Sequence, residues 1–168
     1  MSTFNALANL SFEKSKNEIK TRLKKILHPT DFSENAAAAF SYCLMLARQF
    51  NAKVDVLNIT ESPTLLNGPS NILSMQEMEE KKIDDVMRKM SRYCAQHTND
   101  INSIEITTHI RIGNFAPKLI LSFADAAEAD IIVLGAKGQS AAKEMVVGST
   151  VHKVIAELHH PVLTVPLL

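Results

Sequence analysis

Apolar positions along the chain follow two alternating rhythms. Short runs rich in β-branched and aliphatic residues occur at Lys25–His28, Val54–Ile59, Ile131–Leu134 and Val162–Val165. Near Ser103–Ile112, Ile104, Ile106, Thr108 and Ile110 alternate with Glu105, Thr107, His109 and Arg111. A period of two, or a short apolar run, predicts a strand. Between these runs the spacing changes to that of one helical face. Phe40, Cys43, Leu44 and Ala47 mark a helix that ends about Phe50, and Ile83, Val86, Met87, Met90 and Cys94 mark one over Met75–His97. Leu119, Ile120 and Phe123 follow Pro117, a residue suited to a first helical turn, and Val151, Val154, Ile155 and Leu158 mark the last helix. The alternation β-α-β-α-β-α-β-α-β predicts an α/β domain with a five-stranded parallel sheet, helices on both faces and right-handed crossovers. Residues 1–22 lack this rhythm. They carry only a weak stripe of Phe4, Leu7 and Ala8 before a charge-rich stretch, and read as an extension, either frayed or packed on a partner subunit. The domain is 23–168. A loop over Glu61–Ser74 carries two prolines and a glycine.

Glycines punctuate the fourth unit. Gly135 and Gly138 leave the Ile131–Leu134 strand, and Gly148, Ser149 and Thr150 open the last helix. A helix start has unpartnered N–H groups and partial positive charge, so it favours a phosphate. Glycine lets backbone approach an anion and can supply the φ > 0 turns that aim successive N–H groups at it. The two hydroxyls add donors. Neither the P-loop spacing nor the dinucleotide Gly-x-Gly-x-x-Gly is present. At the first strand, Pro29 ends the run and Ser33 is placed to cap the next helix. Asp31 therefore sits at the carboxyl end of a strand, the rim where open α/β sheets bind ligands, and can accept from a ligand hydroxyl or amine.

Composition narrows the classes. A chain of 168 residues, 46% hydrophobic, suits one domain with its own core. Eighteen basic against 18 acidic residues argue against a general nucleic-acid binder. No apolar run is long enough to span a membrane, and the N-terminal stretch lacks the basic and apolar regions of a secretory signal, so the expected location is cytoplasmic. Cys43 and Cys94 fall on helical apolar positions and read as reduced, buried thiols. The six histidines show no zinc-site spacing, and no Gly-x-Ser-x-Gly elbow occurs. Neither His-x-Gly-His nor Ser-Gly-Gly-x-Asp-Ser is present. No catalytic residue and no metal ligand is assigned. The last strand, Val162–Val165, carries no charge to blunt an edge, which predicts a homodimer through that strand.

The segments KKILHPTDFSENA, VDVLNIT, the Gly113-Asn114 turn before a helix, and VLGAKGQSAAKEMVVGSTVHKVI followed by HPVLTVP resemble the universal stress protein family from about Lys24 to Leu168. The resemblance implies a Rossmann-like, adenine-nucleotide alpha hydrolase-like sheet in the order 3-2-1-4-5, with dimers through strand 5. In the branch marked by Gly-x2-Gly-x9-Gly-Ser/Thr, intact here as Gly135, Gly138, Gly148 and Ser149, it also implies bound ATP. By resemblance, Pro29, Thr30 and Asp31 frame adenine and ribose, and Ile59 presents backbone to the adenine edge. Leu134 and Gly135 underlie the ribose, while Lys137 and Gly138 meet the phosphates. Gly148, Ser149, Thr150 and Val151 complete the cradle. The implied ligand is ATP, or ADP or AMP, with Mg²⁺ carried by the phosphates, in a nucleotide-responsive regulatory dimer with an unknown protein partner. The alternatives are a nucleotide-independent interaction module and a slow ATPase. Two positions depart from the family pattern. Lys137 stands where histidine or arginine is common, and Asn58 stands where histidine commonly precedes the adenine-contacting residue.

Overall fold

The computed structural model describes residues 23–61, 72–97, 104–138, 147–157 and 160–167. The extension, most of the loop after the second strand, the spacer between the glycine pairs, and Leu158 lie outside the described residues. The elements are β1 (Lys25–Pro29), α1 (Glu34–Phe50), β2 (Lys53–Thr60), α2 (Ile72–His97), β3 (Ile106–Ile112), α3 (Ala116–Ala127), β4 (Ile131–Gly135), α4 (Ser149–Ala156) and β5 (Val162–Val165). The sheet is five-stranded and parallel in the order β3-β2-β1-β4-β5.

Alternation along the strands divides the core into two layers. Ile26, Val54, Val56 and Val133 pack under α1 and α2 with Phe40, Cys43, Leu44, Met90 and Tyr93. Their neighbours Leu27, Leu57, Ile132 and Leu134 pack under α3 and α4 with Ile120, Phe123, Val151 and Val154. Both faces are covered, as a parallel sheet requires. The chain runs from β1 outward through β2 to β3, then crosses to β4 on the other side of β1. The strand order therefore reverses between β1 and β4, and their carboxyl ends form the crevice where such sheets bind ligands.

Caps fix the entries. Ser33 accepts from the Ala36 amide at 3.2 Å at the start of α1, and Asn51 ends that helix in the left-handed region at φ 52°. Pro117 lies in the first turn of α3.

Several expected faces are corrected. The buried stripe of α2 is Val86, Met90 and Tyr93, while Met87 is 54% exposed. The helix bears on α1 and the β2–β3 side through a narrow strip, so Val86, Met90 and Tyr93 are buried while Cys94 packs against the core only partly buried. The helix also begins at Ile72, inside the segment expected to be loop, and β3 begins at Ile106 rather than near Ser103. Leu119 is only partly buried, its side chain lying over Gly113. Ile155 is 40% exposed, because α4 ends at Ala156 and turns only Val151 and Val154 inward. Cys43 and Cys94 are free thiols; Cys43 is buried as expected but Cys94 only partly so, and burial raises the pKa of both.

Candidate functional site

The loop after β1 is held by hydrogen bonds at every step. The Thr30 amide donates to Leu57 O at 2.8 Å, continuing the ladder to β2. The Asn58 side-chain amide donates to Thr30 O at 2.8 Å, the Phe32 amide to Thr30 Oγ1 at 3.0 Å, and the Ser33 amide to Asp31 Oδ1 at 3.0 Å. The last is an Asx turn that orients the carboxylate. Phe32 sits at φ 64°, a conformation costing a bulky residue roughly 1–2 kcal/mol. Its ring meets Tyr93 of α2 edge-on at 5.6 Å, a contact that helps offset the strain.

The loop after β4 faces this one. The Ala136 amide donates to Val165 O at 2.8 Å, and the Gly148 amide donates to Ala136 O at 2.8 Å. That second bond ties the entrance of α4 to the exit of β4. A Cβ at Gly138 would lie 2.7 Å from Asp31 Oδ2, so the two loops approach as closely as a glycine allows. Among the described glycines none has positive φ; the positive values belong to Phe32, Asn51 and Glu128. This corrects the expectation that the glycines supply left-handed turns: Gly148, for example, is extended at φ −70° and ψ 153°. Their contribution is space.

Between the loops lies a cavity of about 230 Å³. It is lined by Pro29, Thr30 and Asp31 from the first loop, Ile59 from β2, Leu134, Gly135, Lys137 and Gly138 from the β4 exit, and Gly148, Ser149, Thr150 and Val151 from the start of α4. Every site residue expected from the sequence thus meets one space. Ala36, Leu57, Ala116 and Ile120 also line it and were not anticipated. Leu57 was legible, since it lies two residues before Ile59 on the same face of the strand. Ala116 and Ile120 are one turn apart on α3, just after the Gly113-Asn114 turn. Leu57, Ile59, Ile120 and Leu134 make an apolar wall, while Asp31, Lys137 and the Ser149 and Thr150 hydroxyls supply polar groups. An apolar chamber joined to a helix N-terminus can take a flat ring and an anion together.

His28 lies on the opposite face of β1 from the cavity. It is fully buried, with Nδ1 3.0 Å from Val133 O and Nε2 3.0 Å from the Tyr93 hydroxyl. Burial lowers its pKa to about 4, against the smaller opposing effect of the Val133 carbonyl. The unfolded chain takes up a proton below pH 6.5, whereas the folded chain resists until about pH 4. Stability from this group is therefore complete above pH 6.5 and is lost as pH falls through that window. Urea denaturation at pH 7 and pH 4.5 should show His28→Gln reducing the wild-type pH dependence by roughly 2–3 kcal/mol; an unchanged difference would contradict the assignment. His97 bonds Tyr93 O, His109 pairs with Asp55, and His160 bonds Ala129 O and Asp125.

Comparison with known proteins agrees with this architecture. The profile of the Universal stress protein family matches residues 22–166. Universal stress protein MJ0531 of Methanocaldococcus jannaschii is 25% identical over 144 residues, covering 84% of this chain and 81% of that protein. Universal stress protein MJ0577 of the same organism is 27% identical over 154 residues, covering 84% and 94%. The MJ0577 structure superposes with a TM-score of 0.70 at 27% identity over 88% of this chain and 98% of the other. Universal stress protein UspA from Lactobacillus plantarum gives 0.67 at 26% identity over 86% and 98%. Two more distant structures share the fold. One is a universal stress protein in complex with cAMP, at 18% identity and TM-score 0.61, covering 87% and 98%. The other is the Archaeoglobus fulgidus protein in complex with dAMP, at 17% and 0.51, covering 85% and 97%. Sequence pattern, strand order and these matches agree: the chain belongs to the universal stress protein family.

Proposed function

We propose that this protein binds ATP, or a related adenine nucleotide such as ADP or AMP, and acts as a nucleotide-responsive regulatory dimer of the cytoplasmic stress response. The observation that carries the reading is the contact between the two loops. Gly138 approaches the Asp31 carboxylate with no room for a Cβ, and Gly148 is bonded to the β4 exit beside it. The residues suited to a ribose and those suited to a phosphate chain thus border one cavity. Leu57, Ile59, Ile120 and Leu134 would take the base, Asp31 the ribose hydroxyls, and the Gly138, Ser149 and Thr150 amides the phosphates. Lys137 would balance part of the phosphate charge, with Mg²⁺ carried by the ligand. Family proteins in complex with cAMP and dAMP support an adenine ligand.

Among the described residues, the ionisable side chains lining the cavity are Asp31 and Lys137. Among the described lining residues none is a histidine or cysteine. The dimer reading rests on β5. It pairs with β4 alone among the described strands, and Val162, Leu163 and Thr164 stay half-buried in the single chain. A second copy along that edge would cover them.

Equilibrium dialysis with ATP and Mg²⁺ tests the reading. Saturable binding below millimolar is expected, together with a Tm that climbs as ligand is added, since a ligand selective for the native state stabilises it by mass action. Absence of binding up to millimolar, with an unmoved Tm, would leave a nucleotide-independent interaction module.

A further inference from the structure

We infer that Asn58 is a positioning residue for the ligand: its carboxamide takes the place of the Ile59 amide on the Thr30 carbonyl, which leaves that amide to donate to the edge of a bound base. The inference rests on the nucleotide-binding reading of the cavity and deepens it at the base end.

The phase of the β1–β2 ladder carries it. In a parallel sheet the main-chain groups of successive residues turn to opposite neighbouring strands. On β2 the odd-numbered residues face β1. The Lys53 amide donates to Lys24 O at 2.8 Å, and Leu57 O accepts from the Thr30 amide at 2.8 Å. The even-numbered residues face β3. The Val54 amide donates to Glu105 O at 2.9 Å, and Thr60 O accepts from the Gly113 amide at 2.9 Å. After Thr30 N–H to Leu57 O, the next rung toward β1 would be Ile59 N–H to Thr30 O. That bond is not made among the described residues. The Asn58 side-chain amide donates to Thr30 O instead, at 2.8 Å. The main-chain ladder thus stops one rung early, and the Ile59 amide is directed across the carboxyl end of β1, at the rim where Ile59 lines the cavity.

This exchange carries a cost that the fold alone does not require. Thr30 O can only accept, so the carboxamide must turn Nδ2 toward it and Oδ1 away. Asn58 is 5% exposed, and among the described residues its Oδ1 has no hydrogen-bond partner. An orphaned buried acceptor is unfavourable. The same side of β2 carries Val54 and Val56, both fully buried, so an aliphatic residue at position 58 would continue the strand without that cost, and the Ile59 amide would satisfy Thr30 O. What the carboxamide adds is a fixed Thr30–Asp31 peptide together with a main-chain donor left for a ligand. Asp31 is then held on both sides, by this bond and by the Ser33 amide on its Oδ1 at 3.0 Å. A flat ring against Leu57, Ile59, Ile120 and Leu134 would turn its edge to the Ile59 amide, and an N–H there suits a ring nitrogen that carries a lone pair.

Amide exchange and equilibrium dialysis with ATP and Mg²⁺, both on the full chain, test the inference. In wild type the Ile59 amide should exchange quickly without ligand and slow at least about tenfold at saturating ATP. Asn58→Leu nearly keeps the side-chain shape and removes the donor. The Ile59 amide should then close the ladder onto Thr30 O, so that without ligand it exchanges at least about tenfold more slowly than in wild type. ATP affinity should fall about tenfold, the scale of one hydrogen bond. Asn58→Ala should give the same two changes and serves if Asn58→Leu does not fold. Asn58→His places a ring N–H as many bonds from the main chain as Nδ2 and should restore both wild-type readouts. Affinity unchanged in Asn58→Leu and Asn58→Ala beside a binding wild type would overturn the inference and leave the nucleotide reading standing. So would an Ile59 amide that ATP leaves unprotected in wild type. Lost affinity with no gain of protection at Ile59 in ligand-free Asn58→Leu would reduce Asn58 to a packing role and overturn the inference as well. A wild type that binds no nucleotide would overturn both readings.

Discussion

Replacing Gly138 with valine should cost at least about a hundredfold in nucleotide affinity, the equivalent of roughly 3 kcal/mol, while leaving the fold intact. The reason lies in what surrounds this glycine. A Cβ there would sit 2.7 Å from Asp31 Oδ2 and 3.8 Å from its Cγ, and among the described residues it meets no backbone atom within that range. The obstacle is the end of a side chain, which can swing aside. The fold therefore accommodates the new residue by moving the carboxylate, at a stability cost of about 1 kcal/mol or less. The displaced carboxylate loses its Asx-turn geometry with Ser33, and the valine methyls occupy the mouth between the two loops. Binding suffers twice, through the lost acceptor and the filled space. Dialysis paired with urea denaturation checks both halves. Wild-type affinity in Gly138→Val would contradict the account, as would a loss of binding matched by general unfolding.

Gly135→Ala should behave in the opposite way, destabilising the fold by about 3 kcal/mol or more. Its Cβ would lie 2.6 Å from the Asn35 carbonyl carbon, 2.7 Å from that oxygen and 2.8 Å from the Ala36 amide nitrogen. These are main-chain atoms of the first turn of α1, so relief requires moving a helix against a central strand. α1 packs Phe40, Cys43, Leu44 and Ala47 into the core, and it cannot shift without opening that layer. Urea denaturation would read the change, and a cost below about 1 kcal/mol would show that the helix entrance yields more easily than close packing implies. Two glycines three residues apart in one motif thus have separate duties. One admits a helix to the sheet, and the other leaves room in front of a carboxylate.

That division could not be read from the chain. Spacing marks where glycines cluster, but what a missing Cβ avoids depends on residues a hundred positions earlier, Asp31 for Gly138 and Asn35 for Gly135. The left-handed geometry expected of the glycines falls instead on Phe32, a bulky aromatic that no turn rule would select; its contact with Tyr93 explains why it is tolerated. Tyr93 itself was invisible as a core residue. It stands three positions after Met90 among polar and charged neighbours, and a broader apolar stripe through Met87 looked the better face. His28 read as an ordinary strand residue, because only the parallel pairing of β1 with β4 brings Val133 O to its ring.

The fold was far more legible. The change between periods of two and 3.6 is local, repeats through the chain and needs no knowledge of distant partners. The strand order came from the family resemblance carried by the first loop and the glycine motif, and the sheet has that order. The candidate site was legible to the extent that its residues lie at element ends. Strand exits and helix entrances on one edge of a parallel sheet must be neighbours, whatever the side chains. The apolar wall contributed by α3 is set by how that helix packs, so Ala116 and Ile120 emerged only from the structure.

The central claim is that main-chain amides at the β4 exit and the α4 entrance serve one ligand. Amide ¹⁵N–¹H shifts recorded while ATP and Mg²⁺ are titrated into the protein test it most directly. The account predicts that Gly138, Ser149 and Thr150 shift together and saturate with a single Kd. Saturation at only one of the two loops, or no saturable shift at either, would contradict it.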